Sequence, residues 1–212
     1  MRVSNVRVYG LPESIYASGY PMKLVPPRQN EFCVAVTKIQ DAIDISDFEN
    51  PHIKRAIKLA SCKTGTGHDN FLNGVIVQFD VPLTKSFSPE FQRYHFLDFV
   101  SSMSLVHCAT KMNFSAIAND NAIYPSLVQA QELVSSFNTG KIDRDTLVDN
   151  LPCCIELTAR MTTNYRQLKT IYQQRKNHPI KKWRYFCKWI ESLPMADKFI
   201  CGGEQYKGSE PI

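Results

Sequence analysis

Thr162–Ile190, TTNYRQLKTIYQQRKNHPIKKWRYFCKWI, reads as two consecutive helices with an apolar stripe on one side and cations on the other. In the first, Tyr165, Leu168, Ile171 and Tyr172 recur at i, i+3, i+6 and i+7, which places them on one helical face turned to a core. Arg166 and Arg175 stand off that stripe. In the second, Trp183, Phe186, Cys187, Ile190 and Leu193 form the stripe, and Lys181, Lys182, Arg184 and Lys188 lie around it. Pro179 is expected in the first turn of that helix, where its missing N–H costs nothing. Three readings of the charged side are open. It is a solvated face, or a nucleic-acid surface over Lys176–Lys188 with cations for phosphates and aromatics for bases. Or it is a nucleotide and cofactor pocket at the helix junction, with Arg175 as a bidentate, permanently charged donor.

Upstream of this pair, Cys153–Ala159 reads as a strand, with the adjacent Cys153 and Cys154 as small core residues. Ser126–Phe137 and Asp143–Asn150 read as helices separated at Gly140. Ser88 and Pro89 open what reads as one long helix to about Leu105, with Phe91, Tyr94, His95, Asp98, Phe99 and Ser102 at helical spacing. Phe71–Val81 alternates strongly, with Val75, Val77, Phe79 and Val81 on one face, and is expected to be a strand. Lys63–Asn70 reads as a turn. Asn50 caps and Pro51 opens a helix whose stripe is Ile53, Ala56, Ile57 and Ala60. Glu31–Ile39 alternates as a strand buried on at least one face. Pro12–Pro27 reads as a loop, and Val3–Tyr9 as a short strand. This order predicts an α+β fold: a single domain over 1–200 with an extended lead-in over 1–30, and a tail over 201–212.

The 212 residues, 43% hydrophobic and 11% aromatic, suffice for one ordinary core. The net charge of +5 is compatible with anionic partners and does not demand one. No apolar run reaches the ~20 residues of a membrane helix. The N-terminus MRVSNVRVYGLPES lacks the apolar centre of a secretory signal. The seven cysteines include no CxxC pair, which argues against a zinc site and a disulfide framework and fits a reducing, cytoplasmic setting. No metal ligand set is predicted.

The C-terminal pair resembles the corresponding segment of the flavin-dependent thymidylate synthases, the thymidylate-synthase-complementing family. Thr162, Asn164, Arg166 and Leu168 match its Thr-x-Asn-x-Arg-x-Leu run. Arg175 follows at the family spacing, then His178 and Trp183, and Leu151-Pro152 matches a Leu-Pro pair upstream. Gly67–Val81, GHDNFLNGVIVQFDV, is similar to the family's Gly-His turn and strand, with His68 at a flavin-proximal histidine. Glu90–Ser104, EFQRYHFLDFVSSMS, takes the place of the Arg-His-Arg signature and the serines after it. The three blocks keep their order and spacing over roughly residues 51–190.

The resemblance implies a homotetrameric enzyme that holds FAD between subunits. Such an enzyme moves a one-carbon unit from methylenetetrahydrofolate to C5 of dUMP, with NADPH as reductant. By position it implies His68, Arg93, His95, Asn164, Arg166 and His178 as flavin-binding. It implies Arg93, Ser102, Ser104 and Arg175 as substrate-binding, with Arg175 polarising the pyrimidine. The chemistry suits these residue types, since a reduced flavin and a phosphate both want cations and N–H donors. An arginine at the carbonyl edge of uracil stabilises developing negative charge. The chain departs from the pattern in four places. The triplet is Arg93-Tyr94-His95. Ser101–His107 contains no arginine, with His107 or Lys111 as the nearest substitutes. Val148 replaces an arginine before the Leu-Pro pair, and Thr170 replaces a flavin-side asparagine. Two rivals stand beside the enzyme: an oligomeric binding or regulatory protein with a degraded site, and a nucleic-acid-binding module.

Overall fold

The computed structural model describes residues 2–64, 66–108, 110–111, 118 and 120–202. All but Cys201 and Gly202 of the tail expected over 201–212 therefore lies outside the described residues. In chain order the elements are β1 (Ser4–Tyr9), α1 (Leu11–Ala17), a 3-10 turn (Tyr20–Met22), α2 (Gln29–Asp44) and α3 (Pro51–Ala60). A second 3-10 turn (Asn70–Gly74) leads to β2 (Ile76–Thr84), α4 (Ser88–Gln92), β3 (Asp98–Ser102) and α5 (Leu105–Cys108). There follow α6 (Tyr124–Asn138), α7 (Arg144–Asn150), β4 (Glu156–Asn164), α8 (Tyr165–Arg175), α9 (Lys181–Ile190) and α10 (Ala196–Phe199). The fold is α+β, with one antiparallel four-stranded sheet in the order β1-β2-β4-β3. The chain divides into two compact units, Met1–Asn5 with Phe79–Thr162, and Val6–Gln78 with Thr163–Ile212.

In the first unit β3 lies antiparallel against β4, from Asp98 opposite Thr162 to Ser102 opposite Ala159, with an irregularity between Phe99 and Ser101. Every residue of β3 is exposed. Ala130, Leu147, Leu151 and Ile155 form a core that Leu105, Leu133, Val134, Phe137 and Ile142 pack against. Asp143 caps α7, accepting from Thr146 N–H at 2.8 Å. Arg160 Nη1 lies 3.1 Å from Asp80 and 2.7 Å from the Asn5 carbonyl oxygen, which it donates to. The Asn5 amide and Arg160 together hold the Asp80 carboxyl below its usual range.

Three expectations fail in this unit. The long helix predicted from Ser88 to Leu105 stops after Gln92, because Phe96 takes φ 61° and Asp98–Ser102 pairs with β4. Backbone pairing overrides a helical spacing that only six side chains supported. The strand predicted over Cys153–Ala159 instead runs over Glu156–Asn164. Cys153 is exposed and Cys154 half-buried in the preceding turn, so neither is a core residue.

The second unit shows why two other readings fail. Glu31–Ile39 is not a strand but the middle of α2. Phe32, Ala35, Val36, Ile39, Ala42 and Ile43 recur at helical spacing, and of these Ile39 and Ala42 are buried, while Val34 is exposed. A run of alternating apolar residues satisfied both periods, and length decides between them. Glu31 then accepts from the Arg28 N–H, 3.3 Å away, as the third helical residue of a capping box does. The predicted loop over Pro12–Pro27 contains α1, with Pro12 in its first turn. Gly10 enters that helix at φ 73°, and a Cβ there would meet the Gly74 carbonyl oxygen at 2.6 Å.

Other readings hold. Asn50 Oδ1 accepts from His52 N–H at 3.0 Å, and Ile53, Ala56 and Ala60 are buried. The predicted face of Val75, Val77, Phe79 and Val81 is buried throughout, although the strand starts only at Ile76, after the turn at Asn70–Gly74. Pro179 stands two residues before α9 rather than inside it.

His52 packs its ring 5.5 Å from Tyr16 and 3.2 Å from the Arg55 guanidinium. Burial, then the charges of Arg55 and Lys23, push its pKa below 6.5. The unfolded chain therefore takes up a proton near pH 6.5 that the folded chain refuses. Stability is full above that pH and falls as pH drops below it. Thermal melts between pH 7.5 and 5 should show a falling Tm, and His52→Gln should flatten the slope. An unchanged slope in the variant would remove His52 as the cause.

Candidate functional site

Helix α8 begins directly where β4 ends, and three contacts fix its first turn. Asn164 is buried, extended (φ −132°, ψ 166°), and its Oδ1 accepts from Gln167 N–H at 2.8 Å. Tyr165 N–H donates to the Val75 carbonyl at 3.0 Å, and its phenol donates to the Pro194 carbonyl at 2.7 Å. The ring is fully buried, and burial pushes the phenol above its usual range. Arg166 is thereby carried at the second helical position, with a side chain 30% exposed.

Beneath Arg166 lies a charge cluster. Asp69, next to exposed His68 in the turn, has no accessible side-chain surface. Lys169, 1% exposed, donates from Nζ to Asp69 Oδ2 at 3.0 Å, to the Ala60 carbonyl at 2.7 Å and to the Cys62 carbonyl at 3.4 Å. An ammonium has three donors, so Lys169 is fully used. Arg166 Nε stands 3.4 Å from Asp69 Oδ1, within ion-pair range. The alignment does not make a hydrogen bond, and Oδ1 is a buried oxygen without one, as is Thr163 Oγ1. Among the described residues, Arg166 has no other side-chain partner. Sequence reasoning missed Asp69 and Lys169. One signal was present: Lys169 lies four residues after Tyr165 and three before Tyr172, on the apolar stripe, where a cation needs a buried partner.

At the other end of α8, the Arg175 guanidinium lies over the indole of Trp183, 4.9 Å from its centroid. Trp183, Phe186 and Ile190 are wholly buried, and Cys187, also buried, has its thiol pushed up to about 12, chiefly by desolvation. His178 Nδ1 accepts from Ile180 N–H at 3.2 Å. Arg184 Nη1 donates to the carbonyls of His178 (2.6 Å) and Pro179 (2.9 Å), closing the α8–α9 turn.

The second unit thus holds His68, Asn164, Arg166, Arg175 and His178; Arg166 meets the residue beside His68, and His178 N–H donates to the Arg175 carbonyl at 3.0 Å. The first unit holds Arg93, His95, Ser102 and Ser104. Arg93 ends α4 and His95 follows it, both exposed, not on the long helix expected for them. Ser102, on β3, lines a cavity of about 240 Å³ with Lys85, Thr84 and Phe99. Ser104 Oγ accepts from His107 N–H at 3.4 Å. The candidate substitutes His107 and Lys111 are both exposed.

No protein-family profile matches the sequence, and no curated protein resembles it significantly. Solved structures do. The flavin-dependent thymidylate synthase ThyX of Helicobacter pylori, solved with FAD and dUMP, superposes with a TM-score of 0.64 at 14% identity. That match covers 94% of this chain and 97% of that one. A second structure of Helicobacter pylori ThyX, with FAD and dUMP at 2.31 Å, gives a TM-score of 0.69 at 13% identity, over 97% of this chain and 100% of that one. With near-complete coverage in both directions, this chain has the fold of the flavin-dependent thymidylate synthases.

Proposed function

We propose that the chain is an FAD-dependent enzyme acting on a pyrimidine deoxynucleotide, most simply dUMP, and that it works as a homo-oligomer with residues 1–200 as its catalytic domain. One observation carries the reading. A half-exposed guanidinium, Arg166, is aimed over a buried carboxylate beside exposed His68, on a fold whose solved examples carry FAD and dUMP. The donor set suits a flavin. Arg166 supplies permanent charge, and Asn164 keeps its NH2 beside the capped helix start. His68 and His178 add imidazoles, and Arg93 and His95, on the first unit, are the further flavin contacts that the resemblance implies. Bound FAD would supply the redox chemistry for moving a one-carbon unit from methylenetetrahydrofolate to the base, with NADPH as the source of electrons.

The chain's own residues bind and orient. The Arg175 guanidinium, held over the Trp183 ring, would serve the carbonyl edge of a pyrimidine. Ser102 and Ser104 offer hydroxyls to the nucleotide, with Arg93 as their cation. The departures at Arg93-Tyr94-His95 and over Ser101–His107 favour a second reading, a flavin-binding protein that no longer methylates dUMP. The nucleic-acid reading loses its stacking faces, since Trp183 and Phe186 are buried and only Tyr185 of that helix is exposed among its aromatic rings.

The test is a spectrum and two variants. Purified protein should be yellow, and Arg166→Ala should purify without its flavin, with the oligomer intact, and bind added FAD only weakly. Arg175→Ala should keep flavin and bind dUMP about tenfold more weakly or worse, the scale of one charge-assisted hydrogen bond. A colourless protein that ignores added FAD ends the flavin reading. Flavin binding with no response to dUMP, dCMP or folate selects the second one.

A further inference from the structure

We propose that Asp69, held by Lys169, is the positioning residue of Arg166: it takes the Nε edge of the guanidinium and so directs the two Nη groups outward. The inference rests on the flavin reading only for what Arg166 then meets. Its geometry stands alone. Asp69 is wholly buried, yet Lys169 occupies only Oδ2. Oδ1 is left without a hydrogen bond, 3.4 Å from Arg166 Nε. A buried carboxylate oxygen left bare is costly and needs a reason. Here the reason is at hand, because a small rotation of the Arg166 side chain converts the loose contact into a charge-assisted hydrogen bond.

The charges add to the same picture. Lys169 cancels Asp69, and its two other donors end on the Ala60 and Cys62 carbonyls. The cluster is therefore neutral apart from Arg166, whose charge is left to face outward. Lys169 and Arg166 are three residues apart and lie on neighbouring positions of one helix face. Asp69 adjoins His68 in the chain. One buried pair thus ties the turn that carries His68 to the helix that carries Arg166, and sets two of the proposed flavin contacts against each other.

The experiment replaces the pair by apolar residues of similar shape, Asp69→Leu with Lys169→Met, so that no lone charge stays buried. Two readouts are taken on the full chain. The first needs no ligand: the Arg166 Nε–H signal in a proton–nitrogen NMR spectrum, assigned by its loss in Arg166→Ala. The parent protein should show it protected from solvent exchange, and the double variant should lose that protection while remaining folded by circular dichroism. Equal protection in both overturns the proposal. The second is FAD titration in a cycle with Arg166→Ala. The double variant should bind FAD about tenfold more weakly than the parent, but no more weakly once Arg166 is already alanine. The same loss in both backgrounds, or none in either, marks Asp69 as purely structural and overturns the proposal. A parent that shows the protected signal but binds no FAD retires the flavin reading and leaves the positioning of Arg166 supported. If the double variant does not fold, Lys169→Met alone, which keeps Asp69 beside Arg166, must retain the protected Nε–H signal; its loss there also counts against the proposal.

Discussion

Asp69→Leu alone is expected to destabilise the protein by about 3–5 kcal/mol, the range for breaking a buried ion pair from one side. The cause is what it leaves behind. Lys169 Nζ would remain an ammonium in a site 1% exposed, with only the Ala60 and Cys62 carbonyls for company. Desolvating a cation without its counter-charge costs more than the lost contact. Adding Lys169→Met should recover most of the deficit, because replacing both partners with apolar groups of matching size is often near neutral. Urea unfolding of the single and double variants measures the difference. A double variant no more stable than the single one would mean that the carbonyls, not the carboxylate, hold Lys169 in place.

Trp183→Ala should cost about 3–5 kcal/mol, as truncation of a buried large aromatic does. Trp183 is wholly buried and packs edge-on against Phe186, with ring centroids 6.1 Å apart. Its second effect reaches the proposed chemistry. The Arg175 guanidinium lies over this indole, so removing the ring takes away a cation–π contact that helps orient it. Trp183→Phe should keep much of the packing and a weaker platform. The two variants therefore separate stability from orientation: denaturant midpoint reads the first, dUMP affinity the second. If Trp183→Ala weakens stability and leaves dUMP affinity untouched, the cation–π contact of Arg175 has no part in binding.

What was legible in the sequence was whatever a single helix face or a cap decides. Tyr165, Leu168 and Ile171, the stripe of Trp183, Phe186, Cys187 and Ile190, the Asn50 cap and the inward face of β2 are all as the spacing predicts. These are local rules, and nothing distant contradicts them. The α2 segment failed because its apolar residues fit two periods at once, and only the extent of the pattern, out to Ile43, favours a helix. The segment after Ser88 failed for a non-local reason: Asp98–Ser102 is a strand only because β4 lies beside it. The site divides in the same way. The family-like run points to Arg166 and Arg175, whereas Asp69 and Lys169 were missed because their pairing joins positions 100 residues apart. An aspartate in a polar turn and a lysine among glutamines look like solvated residues until the fold brings them together.

The outer border of β3 has a consequence for life in a crowded solution. All five of its residues face solvent, Phe99 and Val100 among them, and β3 closes one side of the sheet. An exposed border strand that carries apolar side chains is adhesive, and it welcomes any extended segment that drifts alongside. Such a border, left bare, would recruit partners indiscriminately.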